Sequence, residues 1–434
     1  MARLKFLVLL LVALLVVTAC GGGGGAAQPT AATSGGAPTN APAATAAPPA
    51  TAAPQATAAP QATSAPEATK APEATAAPTE APTAAPAAEL QVDKSKLSKE
   101  LHLYNWSDYL DESILADFEK EYGVHVTQEV YDSNEDMIAK VRPGNSGYDI
   151  VFPSDYAVEI MWRDKLIQKL DKSLLPNMIH LKKENLDLYY DKGNLYSIPY
   201  NLGLTGIAYD KSKVSPAPDS WAVVFDPKEA EKYKGQFSML DDEREVPGAA
   251  LKYIGKSLND TDPADLKKVE EILTTQKPFV ANYDSSNVGR NLASGQLVLG
   301  HIYNNTAVQA RLGLSTGDQP FSGNPDIQFV FPKEGGTIWQ DNACILAGIP
   351  EQNTYTAHVF LNYLMRPEVA AKNANFNLGV TPNADAEKFL DPKLVELYKE
   401  GFAPDADIIK RAEWIERNDK TSVFTDVWTK VKGQ

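Results

Sequence analysis

Three aromatic rings, a serine hydroxyl and a carboxylate stand close together about a quarter of the way along this 434-residue chain. The run is Tyr104-Asn105-Trp106-Ser107-Asp108-Tyr109, and it continues an apolar strand pattern that begins at Leu101. The face of an aromatic ring attracts an ammonium group, and a carboxylate bonds it strongly. These residue types therefore predict a site for an organic cation at the end of a strand.

Strand and helix patterns alternate after the start of this run. Apolar periodicity and stop signals predict strands over 101–106, 124–131 and 149–153, and helices over 112–122, from Ser133 and from 155 to about 165. This order predicts a parallel sheet with right-handed crossovers, in which ligands bind beyond the carboxyl ends of the strands. The opening run and Ser154-Asp155-Tyr156 both lie at such ends, so we expect them in one crevice.

The N-terminus has the pattern of an export signal. Arg3 and Lys5 precede an apolar stretch over 6–17, which is short for a membrane span and typical of a signal peptide. The stretch ends in Val17-Thr18-Ala19-Cys20, which resembles the lipobox of bacterial lipoproteins. The resemblance implies a signal peptide over 1–19 and a lipid on Cys20 that anchors the chain to a membrane.

Alanine, proline and threonine dominate residues 26–88. Such a segment offers too little apolar surface to offset the entropy lost on ordering. We therefore predict that residues 20–90 form a disordered tether that holds a globular head away from the membrane.

The head, from about Leu101 to Gln434, is large for a single core and suits two lobes. Residues 1–100 hold six basic and six acidic residues, so the formal net charge of −15 falls on the rest of the chain. An acidic surface argues against nucleic acid and favours cationic partners. Cys344 is the only cysteine of the head and lies in an apolar run, so we expect a small buried side chain.

Several motifs in order along the head resemble those of the polyamine-binding receptors of bacterial ABC importers, the spermidine and putrescine group. Besides the opening run, the matching stretches are 132–135 (Asp-Ser-Asn-Glu), 148–151 with Pro153-Ser154, 198–200 (Ile-Pro-Tyr), 241–246 (Asp-Asp-Glu-Arg-Glu-Val), 332–336 leading to Trp339-Gln340-Asp341, and 360–367. The resemblance implies an α/β, two-lobed periplasmic-binding-protein fold of type II, in which each lobe is a mostly parallel sheet flanked by helices. Residues 101–207 with about 342–395 are expected in the first lobe, and 208–341 with about 396–434 in the second.

The resemblance also implies where a ligand binds. The first lobe would contribute Trp106, Ser107, Asp108, Tyr109, Ser154 and Tyr156, the second Asp242, Glu245, Ser285 and Tyr303, and Trp339 with Asp341 would complete the cage. A polyamine is a string of ammonium groups separated by methylenes, so its receptor needs spaced carboxylates with aromatic walls between them. The implied function is capture of spermidine or putrescine and its delivery to an ABC permease driven by a cytoplasmic ATPase. No cofactor or metal is expected, and we expect a monomer.

The chain departs from the family pattern at three places. Tyr303 stands where the family commonly has a tryptophan, and Thr306 where putrescine-type receptors have an aspartate. Gly379 and Val380 precede the Pro382-Asn383 turn in place of a tyrosine, and Ile415 follows Glu413-Trp414 in place of a glutamine. The pattern therefore supports polyamines as a class and leaves the individual polyamine open.

Other classes of function fit the residues less well. Asp242 and Glu245 in a cleft with Trp339 would suit the acid and base of a glycosidase, but the chain carries no phosphate loop, no His-Glu-x-x-His and no Gly-x-Ser-x-Gly motif. A receptor of the same fold for a sugar, an amino acid or ferric ion is the other alternative. Asp260, Asp262 and Asp265 superficially suggest calcium, but the sequence after them predicts a helix N-terminus instead.

Overall fold

The computed structural model describes residues 90–131, 133–314, 320–416 and 420–433. The predicted signal peptide, Cys20 and nearly all of the predicted tether lie outside the described residues. The described residues begin just before the expected head.

Twelve strands are found in the described residues. They are β1 Glu100–Trp106, β2 His125–Tyr131, β3 Ile150–Val151, β4 Ser197–Asp210, β5 Phe237–Met239, β6 Asn282–Tyr283, β7 Leu299–Tyr303, β8 Gly313–Leu314, β9 Phe321–Ser322, β10 Ile327–Val330, β11 Gly336–Ile345 and β12 Ala412–Glu413. Ten of them form one hydrogen-bonded sheet. Eight of the ten follow the order β2-β1-β3-β11-β4-β7-β5-β6, and the other two, β10 and β12, pair with β4 and β11.

The sheet has two halves joined by its two longest strands. In one half β1 is parallel to β2 and β3, and in the other β5 is parallel to β6 and β7. We call these halves, with the helices packed on them, the first and the second lobe. Strands β4 and β11 run antiparallel to each other from one lobe into the other, with Trp339 opposite Gly203 and Asp341 opposite Asn201 at the crossing.

Fourteen α-helices flank the sheet in the described residues. They are α1 Glu112–Tyr122, α2 Asn134–Val141, α3 Asp155–Arg163, α4 Ala222–Phe225, α5 Pro227–Ala230, α6 Glu245–Tyr253, α7 Pro263–Gln276, α8 Val288–Ala293, α9 Asn304–Leu312, α10 Glu351–Leu364, α11 Pro367–Asn377, α12 Pro392–Leu397, α13 Ala406–Ile409 and α14 Ser422–Gly433. None of the helices in the described part of the chain is both long and apolar enough to cross a bilayer.

The first helices of the first lobe begin where the sequence predicts, and α1 also ends there. Gly123 ends α1 in the left-handed conformation, with φ 74°, which glycine adopts without a steric penalty. The side chain of Ser133 accepts a hydrogen bond from the Asp136 amide and caps α2. The acidic run that superficially suggested calcium is also a helix start, since Asp262 caps α7. Local signals therefore position the ends of strands and helices around the sheet.

Apolar side chains cover both faces of each half of the sheet. Along β1, Leu101 and Leu103 point into one core and Tyr104 into the other, as the alternation of a strand requires. Cys344 is fully buried, as predicted. In the second lobe Ile207 and Ala208 divide in the same way between two cores. The burial of both faces leaves the strand ends at the crossing as the place where polar groups of the two lobes meet.

Candidate functional site

The opening run ends β1 and turns at once toward the crossing strands. Trp106 is half-buried, its ring lies 4.6 Å from that of Tyr131, and its Nε1 donates to the carbonyl of Phe152 at 2.9 Å. Asp108 has a positive φ of 52°, a conformation that asparagine and aspartate tolerate better than most residues. This sharp turn leaves Ser107 exposed and buries Tyr109.

A cluster of hydroxyls surrounds Asp341 at the crossing. Tyr109 donates its hydroxyl hydrogen to Oδ2 of Asp341 at 2.5 Å, and Ser154 donates to Oδ1 at 2.7 Å. The Tyr109 hydroxyl in turn accepts from Asn201 on β4. Three segments distant in sequence therefore meet at one carboxyl, and the structure joins the ends of β1 and β3 as the sequence predicts.

Asp341 is held in a nearly dry environment. Its side chain is buried, and burial raises its pKa to about 6, although the hydrogen bonds from Tyr109 and Ser154 oppose the shift. Among the described residues it forms no ion pair with a lysine, arginine or histidine. A buried carboxyl without a cation is a place where a cationic ligand would be stabilised.

Glu245, the first residue of α6, is a second carboxyl of the same kind. Its two oxygens accept hydrogen bonds from Thr205 of β4 at 2.8 Å and Thr337 of β11 at 2.7 Å. Burial, followed by the nearby charge of Asp242, raises the pKa of Glu245 to about 8. Asp242 accepts the backbone amides of Arg244 and Glu245, which fixes the turn before α6. No described cationic side chain forms an ion pair with Glu245.

Aromatic rings stand between the two carboxyls. Trp339 lies on β11 between Thr337 and Asp341, and Tyr303, at the end of β7, meets it edge to face at 5.8 Å. The Trp339 ring lies directly over Gly203, where a Cβ atom would come within 2.1 Å of the ring. Burial, and then the charges of Asp242 and Glu245, raise the pKa of Tyr303, so its hydroxyl stays protonated.

The spacing of these groups follows from the strand. Residues 337, 339 and 341 of β11 point to the same face, and four residues of strand span about 13 Å. Glu245 is bound to Thr337, so its carboxyl and that of Asp341 are separated along the strand with a tryptophan between them. Among the described residues, no three acidic, histidine or cysteine side chains are arranged to hold a metal ion. The arrangement suits an elongated cation with separated charges.

The family model for bacterial extracellular solute-binding proteins matches residues 113–398 of this chain. The chain belongs to this family. The resemblance predicted from its motifs is thereby confirmed.

Close relatives of this solute-binding protein are named for polyamines. The putrescine/cadaverine-binding protein of Pseudomonas aeruginosa is 34% identical over 340 residues, which cover 77% of this chain and 94% of that protein. The spermidine/putrescine-binding periplasmic protein of Escherichia coli K12 is 37% identical over 337 residues, 76% of this chain and 91% of that protein. A structure described as a putative spermidine/putrescine ABC transporter from Listeria monocytogenes has 34% identity and a TM-score of 0.69, and the alignment covers 77% of this chain and 99% of that one. The two-lobed periplasmic-binding-protein fold is therefore confirmed.

Two other residues predicted for the site of this solute-binding protein make structural contacts. The Tyr156 hydroxyl accepts from Asn134 at 3.0 Å and lies 3.4 Å from a carboxylate oxygen of Glu135. Ser285 accepts the backbone amide of Asp241 at 3.0 Å, which ties the loop before α8 to the turn before α6. Both remain predicted ligand residues that the structure places at the ends of secondary-structure elements.

Asp155 is a carboxyl that the sequence prediction passed over. It is almost fully buried, and its oxygens accept the amides of Tyr156 at 2.6 Å and Gln340 at 3.3 Å. Burial is the main cause that raises its pKa, and the charges of Asp341 and Glu245 add to the effect. Asp155 lies between two predicted ligand residues, Ser154 and Tyr156, at the end of β3, and this position could have identified it from the sequence. Thr205 and Thr337 were also missed, because nothing local distinguishes them from other strand threonines.

Besides Tyr303, three positions that depart from the family pattern have different surroundings. A Cβ atom on Gly379 would lie 2.4 Å from the Asn201 amide, so this position has no room for a tyrosine unless Asn201 moves. Thr306 packs its methyl group against Gly289. Ile415 is buried, and its carbonyl accepts the hydroxyl of Tyr189 at 2.8 Å.

A separate cavity of about 190 Å³ lies beside β1 and β2. His102, Glu129, Lys140 and Tyr148 are among the residues that line it. His102 is near the amino end of β1, whereas Trp106 is at the carboxyl end. None of the predicted ligand residues lines this cavity, so it is distinct from the candidate site.

Proposed function

We propose that this chain captures a polyamine, spermidine or putrescine, between its two lobes and delivers it to an ABC permease. One observation carries the proposal. Asp341 on β11 and Glu245, which is bound to Thr337 of the same strand, are buried carboxyls that each accept two hydroxyl hydrogen bonds, with Trp339 between Thr337 and Asp341. The names of the relatives in Pseudomonas aeruginosa and Escherichia coli support the same class of ligand.

The chemistry of a polyamine matches these groups. Each methylene buried against Trp339 or Tyr303 contributes about 0.8 kcal/mol, and each ammonium over a ring roughly 0.5 to 2 kcal/mol. A buried carboxylate gains little net energy from its ammonium, but one left without a partner costs roughly 3 to 5 kcal/mol. The carboxyls therefore set selectivity more than affinity.

Closure of the two lobes follows from how the ligand residues are divided. Trp106, Asp108 and Ser154 belong to the first lobe, and Glu245 and Tyr303 to the second. A cation that contacts both sets binds the closed arrangement better than the open one, and so shifts the population toward closure. The boundaries proposed for the lobes are 101–207 with about 342–395, and 208–341 with about 396–434.

The proposal extends to the surroundings of the receptor. Members of this family act outside the cytoplasm, and a lipid on Cys20 would hold the chain on the outer face of the cytoplasmic membrane, with residues 20–90 as the tether. The closed receptor would act as a monomer and dock on a permease powered by a cytoplasmic ATPase. It would bind its solute without catalysis and without a cofactor, as expected from the relatives, which are named as binding proteins.

Isothermal titration calorimetry of the receptor with putrescine, spermidine, spermine and a neutral sugar tests the proposal. We expect heat and saturation with at least one polyamine and none with the sugar. The titration with the sugar also tests the glycosidase and sugar-receptor alternatives, since both require a sugar to bind. Heat with the sugar and none with any polyamine would reject the proposed function.

A further inference from the structure

A hydrogen bond between Tyr189 and Ile415 is among those that join the two lobes. The hydroxyl of Tyr189 donates to the backbone carbonyl of Ile415 at 2.8 Å, and its ring lies 6.3 Å from that of Trp414. Tyr189 precedes β4 in the chain, whereas Ile415 follows β12, which pairs with the second-lobe end of β11. Tyr189 is not among the residues predicted to contact the ligand, and Ile415 is one of the positions at which the chain departs from the family pattern.

Tyr189 is held firmly by the first lobe. The neighbouring residue Tyr190 is buried, donates its hydroxyl hydrogen to Asn342 at 3.0 Å, and has its backbone carbonyl bonded by Trp162 of α3 at 2.8 Å. The Tyr189 ring therefore cannot follow the second lobe if the lobes separate.

Ile415 is held just as firmly by the second lobe. Glu413 accepts hydrogen bonds from Lys252 of α6 at 2.6 Å and from Ser257 at 2.7 Å. The side chain of Asn259 donates to the carbonyl of Trp414 at 2.8 Å and accepts the amide of Glu416 at 2.9 Å. The Ile415 carbonyl therefore moves with α6 and with Glu245, the first residue of that helix.

The hydroxyl of Tyr189 lies near the candidate site. Burial, followed by the charge of Asp155, raises its pKa, and Glu159 and Glu416 add smaller effects from α3 and from the second lobe. The hydroxyl therefore stays protonated and requires an acceptor. Ile415 provides that acceptor when the lobes are together.

We propose that Tyr189 is a positioning residue that latches the two lobes shut through the Ile415 carbonyl and so slows escape of the bound solute. The latch acts through closure and makes no contact with the ligand. It rests on the proposed function, because its effect is measured on the polyamine that the receptor binds.

Tyr189→Phe tests the latch, since it removes the hydroxyl and keeps the ring. Loss of one hydrogen bond in the closed form is expected to raise the dissociation rate constant about 3- to 10-fold. The association rate constant should change less than about twofold, because mutational effects on affinity within one complex fall mostly on dissociation. Stopped-flow tryptophan fluorescence measures both constants, and thermal melting of the ligand-free receptor measures any general damage.

Tyr196→Phe is the matched control. Tyr196 belongs to the same segment and stacks on Trp162 with ring centroids 5.8 Å apart, but its hydroxyl makes no hydrogen bond to a described residue. It should bind and release polyamine as the wild type does. The latch would be overturned if Tyr189→Phe left the dissociation rate unchanged. It would also be overturned if this variant lowered the melting temperature by several degrees while its rates matched those of the control. A wild type that binds no polyamine would overturn the proposed function together with the latch.

Discussion

At the scale of single residues, the candidate site consists of buried acids surrounded by neutral donors. Asp341 and Glu245 each accept two hydroxyl hydrogen bonds, and each has a raised pKa because burial disfavours its charged form. Hydroxyls can satisfy either a neutral or an ionised carboxyl, since they donate to its oxygens in both states. The hydroxyls therefore satisfy both carboxyls whether or not these are ionised.

Asp341→Asn tests the importance of one of these charges. The amide keeps the size and one acceptor of the carboxyl but cannot neutralise an ammonium. We expect affinity for polyamine to fall by tenfold or more, on the order of 1.4 kcal/mol, as measured by calorimetry. Asp219→Asn, which removes an exposed carboxylate paired with Lys333, controls for the change in net charge and should bind normally. Unchanged affinity in Asp341→Asn would remove Asp341 from the ligand site.

At the scale of secondary-structure elements, the two crossing strands position the site. Strand β11 carries Thr337, Trp339 and Asp341 on one face, and β4 supplies Asn201 and the glycine on which the tryptophan rests. Leu204 donates its amide to Asn304 at the start of α9, beside the same glycine. The close approach of β4, β11 and the start of α9 thus sets the position of the Trp339 ring.

Gly203→Ala tests this packing. The added methyl carbon would lie 2.1 Å from the Trp339 ring and 2.5 Å from the Asn304 side chain, so at least one of them must move. Overpacking of this kind typically costs about 1–3 kcal/mol. We expect a lower melting temperature and weaker polyamine binding, measured by thermal unfolding and calorimetry. The control is Gly433→Ala, where nothing lies within 4 Å of the added carbon, and it should change neither property. Wild-type binding by Gly203→Ala would show that the Trp339 position tolerates displacement.

The elements that the sequence predicted best are those of the first lobe. Helix α1 starts and ends where predicted and α2 starts after its predicted cap, Ser133, because capping depends on residues within a few positions of each other. The helix predicted to run to about 165 ends at Arg163, a difference of the size expected at helix termini. The two long strands that cross between the lobes were harder to predict, since their pairing joins residues 197–204 to 338–344.

At the scale of the whole molecule, ligand binding should be coupled to proton release. The ligand-free carboxyl of Glu245 has a pKa of about 8 and is mostly neutral at pH 7. The ammonium groups of a polyamine have pKa values near that of lysine, about 10.4, and favour the ionised carboxylate. We therefore expect affinity to rise as pH increases from 6 to 8 and to level off above that. Calorimetry at pH 7 in buffers of different ionisation enthalpy should report release of about one proton.

Glu245→Gln isolates this effect. The variant should bind more weakly, and its affinity should rise less between pH 6 and 8, because one titrating carboxyl is gone. The same raised pKa affects the stability of the folded protein in the opposite direction: affinity should rise with pH, whereas stability should fall. Between the unfolded pKa of 4.5 and the folded pKa of about 8, the folded form holds the proton more tightly, so this group stabilises the ligand-free protein at low pH and loses that contribution as pH rises. A pH profile of affinity identical to that of the wild type would contradict the assignment of the proton to Glu245.

The sequence by itself determined the residue types of the site, the ends of β1 and β3 that carry Trp106 and Ser154, and the family to which the chain belongs. Each of these depends on short sequence patterns that can be recognised without knowledge of the fold. Only the tertiary structure decided that Thr205 and Thr337 hold Glu245, that Asp155 is a third buried acid, and that Tyr189 meets Ile415 across the lobes. These contacts join residues up to 226 positions apart. Burial and hydrogen bonding over such separations are set by the packing of the two lobes, and no local pattern encodes them.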